Sequence, residues 1–125
     1  HRRIVHAGGD QSGAEVQRTL DQSAIAAGVD VLSHAFALDL VVGTNSVGER
    51  QVAGVRIAIT RDDDSVESVG VVTARAVVIA TGGYGQVFAS TSNPQAVTGD
   101  GLALALRAGL PARDIEFVQF HPTVL

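Results

Sequence analysis

The chain has 125 residues, one domain's worth at most, with 46% hydrophobic residues, 18% charged residues and a formal net charge of −4. This composition supports a packed core, excludes a disordered chain and gives nucleic acid no basic face to bind. The absence of cysteine excludes disulfides, thiolate zinc sites and thiol nucleophiles, and fits a reducing compartment such as the cytoplasm.

No apolar run is long enough to span a membrane, so no membrane partner is expected. The four histidines do not cluster with carboxylates, and no metal site is expected. Methionine is absent, and the chain opens His1-Arg2-Arg3 without a leader sequence. The expectation from these features is an internal piece of a longer protein.

Residues 12–27 are expected to be a helix. Ser12 is a candidate N-cap with Glu15 completing a capping box. Val16, Leu20, Ser23, Ala24 and Ala27 form the inward face, and Gly28 is the stop. Residues 29–33 read as a short strand. Three runs rich in Val, Ile and Thr follow, 36–42, 51–60 and 65–73. They are separated by the turn clusters 43–48 and 61–64, the pattern of a three-stranded antiparallel meander. The acidic triplet Asp62-Asp63-Asp64 reads as a solvated hairpin turn, because neighbouring side chains point in different directions and cannot converge on a metal.

Residues 74–80 form an unbroken apolar run closed by Thr81-Gly82-Gly83, which suits a parallel strand buried on both faces. Residues 101–108 predict a second helix, ended by Gly109-Leu110-Pro111. Residues 114–120 alternate loosely and lead into His121-Pro122-Thr123. The sum is an α/β chain that resembles the later part of a Rossmann-like nucleotide-binding domain. The expected opening of such a domain, a strand followed by G-x-G-x-x-G and a helix, is not in this sequence.

Three clusters can carry chemistry. Thr81-Gly82-Gly83 ends a strand where α/β sheets bind cofactors, though a plain strand-to-loop turn would also need glycine. Asp100, within Thr98-Gly99-Asp100-Gly101, either caps the second helix or accepts hydrogen bonds from ligand hydroxyls. A carboxylate there is a poor partner for phosphate. Gln119, His121 and Thr123 share one face if their segment is extended, and offer donors suited to a carboxylate. A single satisfied histidine near a chain end is the plain alternative.

Taken in order, Ala80-Thr81-Gly82-Gly83, Thr91-Ser92-Asn93-Pro94, Thr98-Gly99-Asp100-Gly101, Arg107-Ala108-Gly109 and the run from Glu116 to Thr123 resemble one superfamily. It comprises the flavoprotein subunits of succinate dehydrogenase and fumarate reductase together with the L-aspartate oxidases. The opening, His1 to Asp10 and then Ser12-Gly13-Ala14-Glu15-Val16, resembles the L-aspartate oxidase branch, as does the ending His121-Pro122-Thr123-Val124-Leu125.

The resemblance implies that residues 1–125 are part of an FAD-binding domain, without its N-terminal dinucleotide-binding βαβ unit and without the capping domain that follows. It implies FAD contacts at Phe36, Ala37, Thr81, Gly82 and Asp100. Phe36 departs from the polar residue usual there, which leaves only backbone contact at that position. It also implies a substrate-binding group of His121, Gln119 and Thr123. The implied reaction is oxidation of L-aspartate to iminoaspartate in NAD biosynthesis, with oxygen or fumarate as electron acceptor. The catalytic arginine of the superfamily would follow Leu125, so no catalytic acid or base is assigned within this chain, and the isolated chain is expected to be inactive. The alternatives are a fragment of a succinate dehydrogenase or fumarate reductase flavoprotein and a non-catalytic nucleotide-binding module.

Overall fold

The computed structural model describes residues 6–9 and 11–120. The chain divides into two units, His1–Ser33 and His34–Leu125.

The first unit holds helix α1, Ser12–Ala26. Its end follows the expected stop. The Gly28 N–H donates to the Ile25 carbonyl at 3.0 Å and the Val29 N–H to the Ala24 carbonyl at 3.1 Å, a Schellman pair that satisfies two terminal carbonyls. The start differs from the expected capping box. Gln11 occupies the N-cap without a side-chain bond, and Ser12 is already helical. Glu15 pairs instead with Arg18 one turn on, which donates through Nε at 2.9 Å, and this pairing lowers the Glu15 carboxyl from its ordinary range. The expected face of α1 is not covered, with Val16 and Leu20 both 59% exposed. Residues 29–32 form no strand, a correction to the sequence expectation: a strand needs a hydrogen-bonded neighbour, and none pairs there among the described residues.

The second unit is built on the meander. Strands β1 (Ala35–Thr44), β2 (Arg50–Thr60) and β3 (Val66–Thr73) pair antiparallel in the order β1-β2-β3, close to the expected boundaries. The turns are set by local side chains. Asn45 Oδ1 accepts from the N–H groups of Val47 and Glu49 at 3.1 and 2.9 Å in the first turn. Asp63 Oδ1 accepts from the Ser65 N–H at 3.0 Å in the second, as expected of a hairpin turn. The Ser65 hydroxyl, which also donates to Asp63 Oδ1, and then the Ser65 N–H hold the Asp63 carboxyl below its ordinary range.

Helix α2 (Asp100–Arg107) lies against β1. Its C-terminus closes with the same Schellman pair, Gly109 N–H to Leu106 at 2.9 Å and Leu110 N–H to Ala105 at 3.0 Å. The register of β1 shifts between Ala37 and Asp39, which leaves Leu38 as the extra residue of a β-bulge. The bulge sets Asp39 directly opposite Arg56 and leaves the Leu38 carbonyl to accept from Arg107 at 2.6 Å. Asp39 accepts from Arg107 Nε at 2.7 Å and from Arg56. Arg107 first and Arg56 second hold the Asp39 carboxyl below its ordinary range. The resulting stabilisation is present at neutral pH and is lost as the pH falls through that lowered value.

Beyond the Ala74 N–H, which donates to the Ala53 carbonyl of β2 at 2.9 Å, residues 74–80 are not part of a strand, and Val78 is 86% exposed. The burial expected of this run is therefore not realised among the described residues. A parallel strand draws its ladder from strands on either side, and the described residues supply none beside it. The buried apolar side chains among the described residues are Ala58 and Leu104, while β3 is exposed along its whole length. Such a chain leaves apolar faces and an unpaired sheet edge open to other molecules. The purified chain is expected to associate as its concentration rises and to bind a hydrophobic dye. A monodisperse monomer by light scattering, with cooperative unfolding, would contradict this.

Candidate functional site

The candidate site gathers where residues 79–85 meet the start of α2. The helix N-cap is Gly99, whose backbone is left-handed at φ 84°. A side chain there would also meet Tyr84, since a Cβ would stand 2.8 Å from the Tyr84 Cβ. Two residues on, a Cβ at Gly101 would stand 1.9 Å from Thr81 Oγ1 and 2.8 Å from Ile79 Cγ2. Thr81 and Ile79 thus rest directly on the first turn of α2, at a distance only glycine permits.

Asp100 is the first residue of α2, where the helix dipole favours a negative charge. Its carboxylate does not cap the helix; it accepts from the Thr98 hydroxyl. It is exposed and keeps acceptor positions for a ligand. The side-chain cap, one of the two roles open to Asp100 in the sequence, is not formed.

Beside this junction the chain folds into a loop pinned by Gln86. Its backbone N–H donates to Val97 at 2.9 Å, and its side-chain amide donates to the carbonyls of Asn93 and Pro94 at 2.9 and 3.2 Å. Gly85 admits Asn93, whose Cγ would be 2.6 Å from a Cβ at that position. The Tyr84 hydroxyl donates to the Ile115 carbonyl. Between the loop and residues 117–119 lies a cleft of about 450 Å³, lined among others by Gly83, Tyr84, Asn93, Phe117 and Gln119.

The expected site residues are thus distributed as follows. Thr81 stands at the start of α2 beside Asp100, and Gly82 connects it to the cleft that Gln119 lines. Residues 117–120 are not a strand; Asp114, at φ 56°, starts a turn in which the Phe117 N–H donates to the Asp114 carbonyl at 3.1 Å. His121 and Thr123 lie outside the described residues. Phe36 and Ala37 are the second and third residues of β1, opposite Ala58 and Ile57. They are tied to α2 through the adjoining Leu38 and Asp39 rather than placed in the cleft. Tyr84, Gln86 and the arginine cluster on Asp39 escaped sequence reasoning. Tyr84 follows the glycine pair directly and Arg107 belongs to a motif already noted, but the pairing of Arg107 with Asp39 spans 68 positions.

The residues fit a ligand with hydroxyl groups and a flat apolar part. Asp100 supplies an anionic acceptor, and the cleft supplies aromatic and amide surfaces. Among the described residues, no helix is long and apolar enough to cross a membrane.

The chain matches the FAD binding domain family over residues 1–125. It is 51% identical over 124 residues to an L-aspartate oxidase of Streptomyces coelicolor, covering 99% of this chain and 20% of that protein. It is 43% identical over 125 residues to an L-aspartate oxidase of Mycobacterium tuberculosis, covering 99% and 21%. Against L-aspartate oxidase 2-b, chloroplastic, of Nicotiana tabacum, the identity is 39% over 126 residues, covering 100% and 18%. The chain therefore spans about a fifth of the length of these relatives. No solved structure matches it.

The contact at Gly101 yields a direct test. In the FAD-bound protein, Gly101→Ala is expected to cost about 1–3 kcal/mol through overpacking and to lower the bound flavin. Adding Thr81→Gly should recover part of both losses. An unchanged melting temperature and flavin content in Gly101→Ala would show that the approach is not needed.

Proposed function

This chain belongs to the FAD-binding domain family, and from that premise we propose that it forms the middle of the flavin cradle of an L-aspartate oxidase. The observation that carries the reading is the seating of Thr81 on Gly101, because it sets the end of residues 74–81 beside the helix start that bears Asp100. The relatives at 51% and 43% identity bear the name of this enzyme, which supports the choice of substrate.

In this reading residues 74–80 are a central parallel strand, completed when strands from the rest of the polypeptide flank them. Their apolar sequence and the docking of Ile79 on α2 support that placement. Phe36 and Ala37 offer backbone groups to the adenine end of FAD. Thr81 and Gly82 approach the cofactor, and Asp100 accepts hydrogen bonds from its hydroxyls. The sheet edge, the glycine contact and the anionic helix start fit a cofactor that is hydroxyl-rich at this point rather than one presenting phosphate.

When bound, FAD supplies the redox chemistry, taking two electrons from the substrate and passing them to oxygen or fumarate. The chain's own residues bind and orient. His121 would donate a charge-assisted hydrogen bond to one carboxylate of L-aspartate, with Gln119 and Thr123 as further polar partners, so that the substrate is oriented for oxidation. L-Aspartate loses two electrons and two protons and leaves as iminoaspartate, which feeds NAD biosynthesis. The arginine that completes the site, and the domain that closes over it, come from beyond this chain. A cytoplasmic location accompanies this reading, and cell fractionation tests it.

Two substitutions in the longer protein separate the roles. Asp100→Ala is expected to lower flavin content. His121→Ala is expected to leave flavin bound and to weaken L-aspartate binding by about 2–5 kcal/mol, as loss of a charged partner typically does. Flavin absorbance of the purified variants and KM for L-aspartate provide the readouts. Equal flavin loss in both variants would contradict the assignment.

A further inference from the structure

We propose that Asp39, Arg56 and Arg107 form a positioning clamp that fixes the spacing between the two ends of the cofactor groove. The inference rests on the flavin reading above, which assigns the adenine end to Phe36 and Ala37 and FAD hydroxyls to Asp100, here taken as those of the ribityl chain. The clamp begins at the residues next to the first pair. Leu38, extruded by the bulge, presents its carbonyl to Arg107 at 2.6 Å, and Asp39 accepts from Arg107 Nε at 2.7 Å. Arg56, opposite Asp39 on β2, donates to the same carboxylate from the other side.

Arg107 is the last residue of the helix that begins with Asp100. The seven rises between Asp100 and Arg107 make a rigid strut of about 10 Å. A second tie acts at the same end, where Arg50 donates to the Ala108 carbonyl at 2.9 Å. At the other end the helix is held under Thr81. The guanidinium of Arg107 therefore links the adenine-end backbone of β1 to the helix that presents Asp100. A bidentate fork suits this role, because it binds the Asp39 carboxylate and the Leu38 carbonyl at once.

The consequence is specific to a ligand that reaches both ends. FAD gains affinity by engaging two sites joined by a linker of fixed length, and that gain depends on their spacing. ADP and FMN each occupy one end and do not sense it. The experiment is reconstitution of the flavin-stripped full-length protein with FAD, FMN or ADP, followed by fluorescence and calorimetric titration. Arg107→Gln is expected to weaken FAD roughly tenfold or more while FMN and ADP shift less than about twofold. Arg107→Lys should restore part of the FAD affinity. Should Arg107→Gln fail to fold, Asp39→Asn tests the same split.

Unchanged FAD affinity overturns the clamp, and so does an equal loss for all three ligands. Asp100→Ala separates this failure from that of the underlying reading. If Asp100→Ala weakens FMN while Arg107→Gln leaves FAD unmoved, the flavin reading stands and the clamp falls. If Asp100→Ala leaves FMN unmoved, the flavin reading falls and the clamp falls with it.

Discussion

The missing side chain at Gly101 is the constraint around which the second unit is arranged. A Cβ there would overlap the Thr81 hydroxyl at 1.9 Å. Its absence lets residues 79–81 lie directly on the first turn of α2. Everything assigned to the cofactor in this part of the chain follows from that contact. Thr81 ends an apolar run, Gly82 and Gly83 turn away towards the cleft, and Asp100 stands at the helix start next to them. The far end of α2 is held by a different chemistry. Its last carbonyls are satisfied by the backbone of Gly109 and Leu110 and by Arg50, and its final residue is bound to the bulge in β1. Close packing at one terminus and charge-assisted bonds at the other thus fix a short helix whose intrinsic stability is small.

The same unit is open elsewhere. Only Ala58 and Leu104 are buried apolar side chains among the described residues, while Val69 on β3 and Phe117 beside the cleft are 59% and 80% exposed. A chain with 46% hydrophobic residues has material for a larger core than this. The relatives are about five times as long, since the chain covers 20% of the Streptomyces coelicolor protein. In the proposed reading the uncovered faces and the run at 74–80 are completed by partners distant in sequence, as parallel strands and half-buried helices are.

What was legible in the sequence follows the range of the interactions. The meander could be read because its runs of Val, Ile and Thr are separated by turns that Asn45 and Asp63 close with their own side chains. Both helix stops could be read because Gly28 and Gly109 mark Schellman ends. The capping box failed at the level of competing local pairs: Arg18, one turn away, takes Glu15. The loose alternation at 114–120 did not announce the turn over residues 114–117 that the left-handed backbone of Asp114 starts. The bulge at Leu38 and the clamp on Asp39 could not be read, since a bulge is defined by a partner strand's register and Arg107 is 68 positions from Asp39. Within the candidate site, the motifs announced Thr81, Asp100 and Gln119, whereas the contact at Gly101 that joins the first two required three dimensions.

The most direct test of the account is a crystal structure of the longer protein with its flavin bound. An Asp100 carboxylate oxygen is expected within about 3.2 Å of a ribityl hydroxyl, with Thr81 still seated on Gly101 and residues 74–80 flanked by parallel strands. A flavin bound elsewhere, with Asp100 facing solvent and Thr81 detached from the helix, would contradict it.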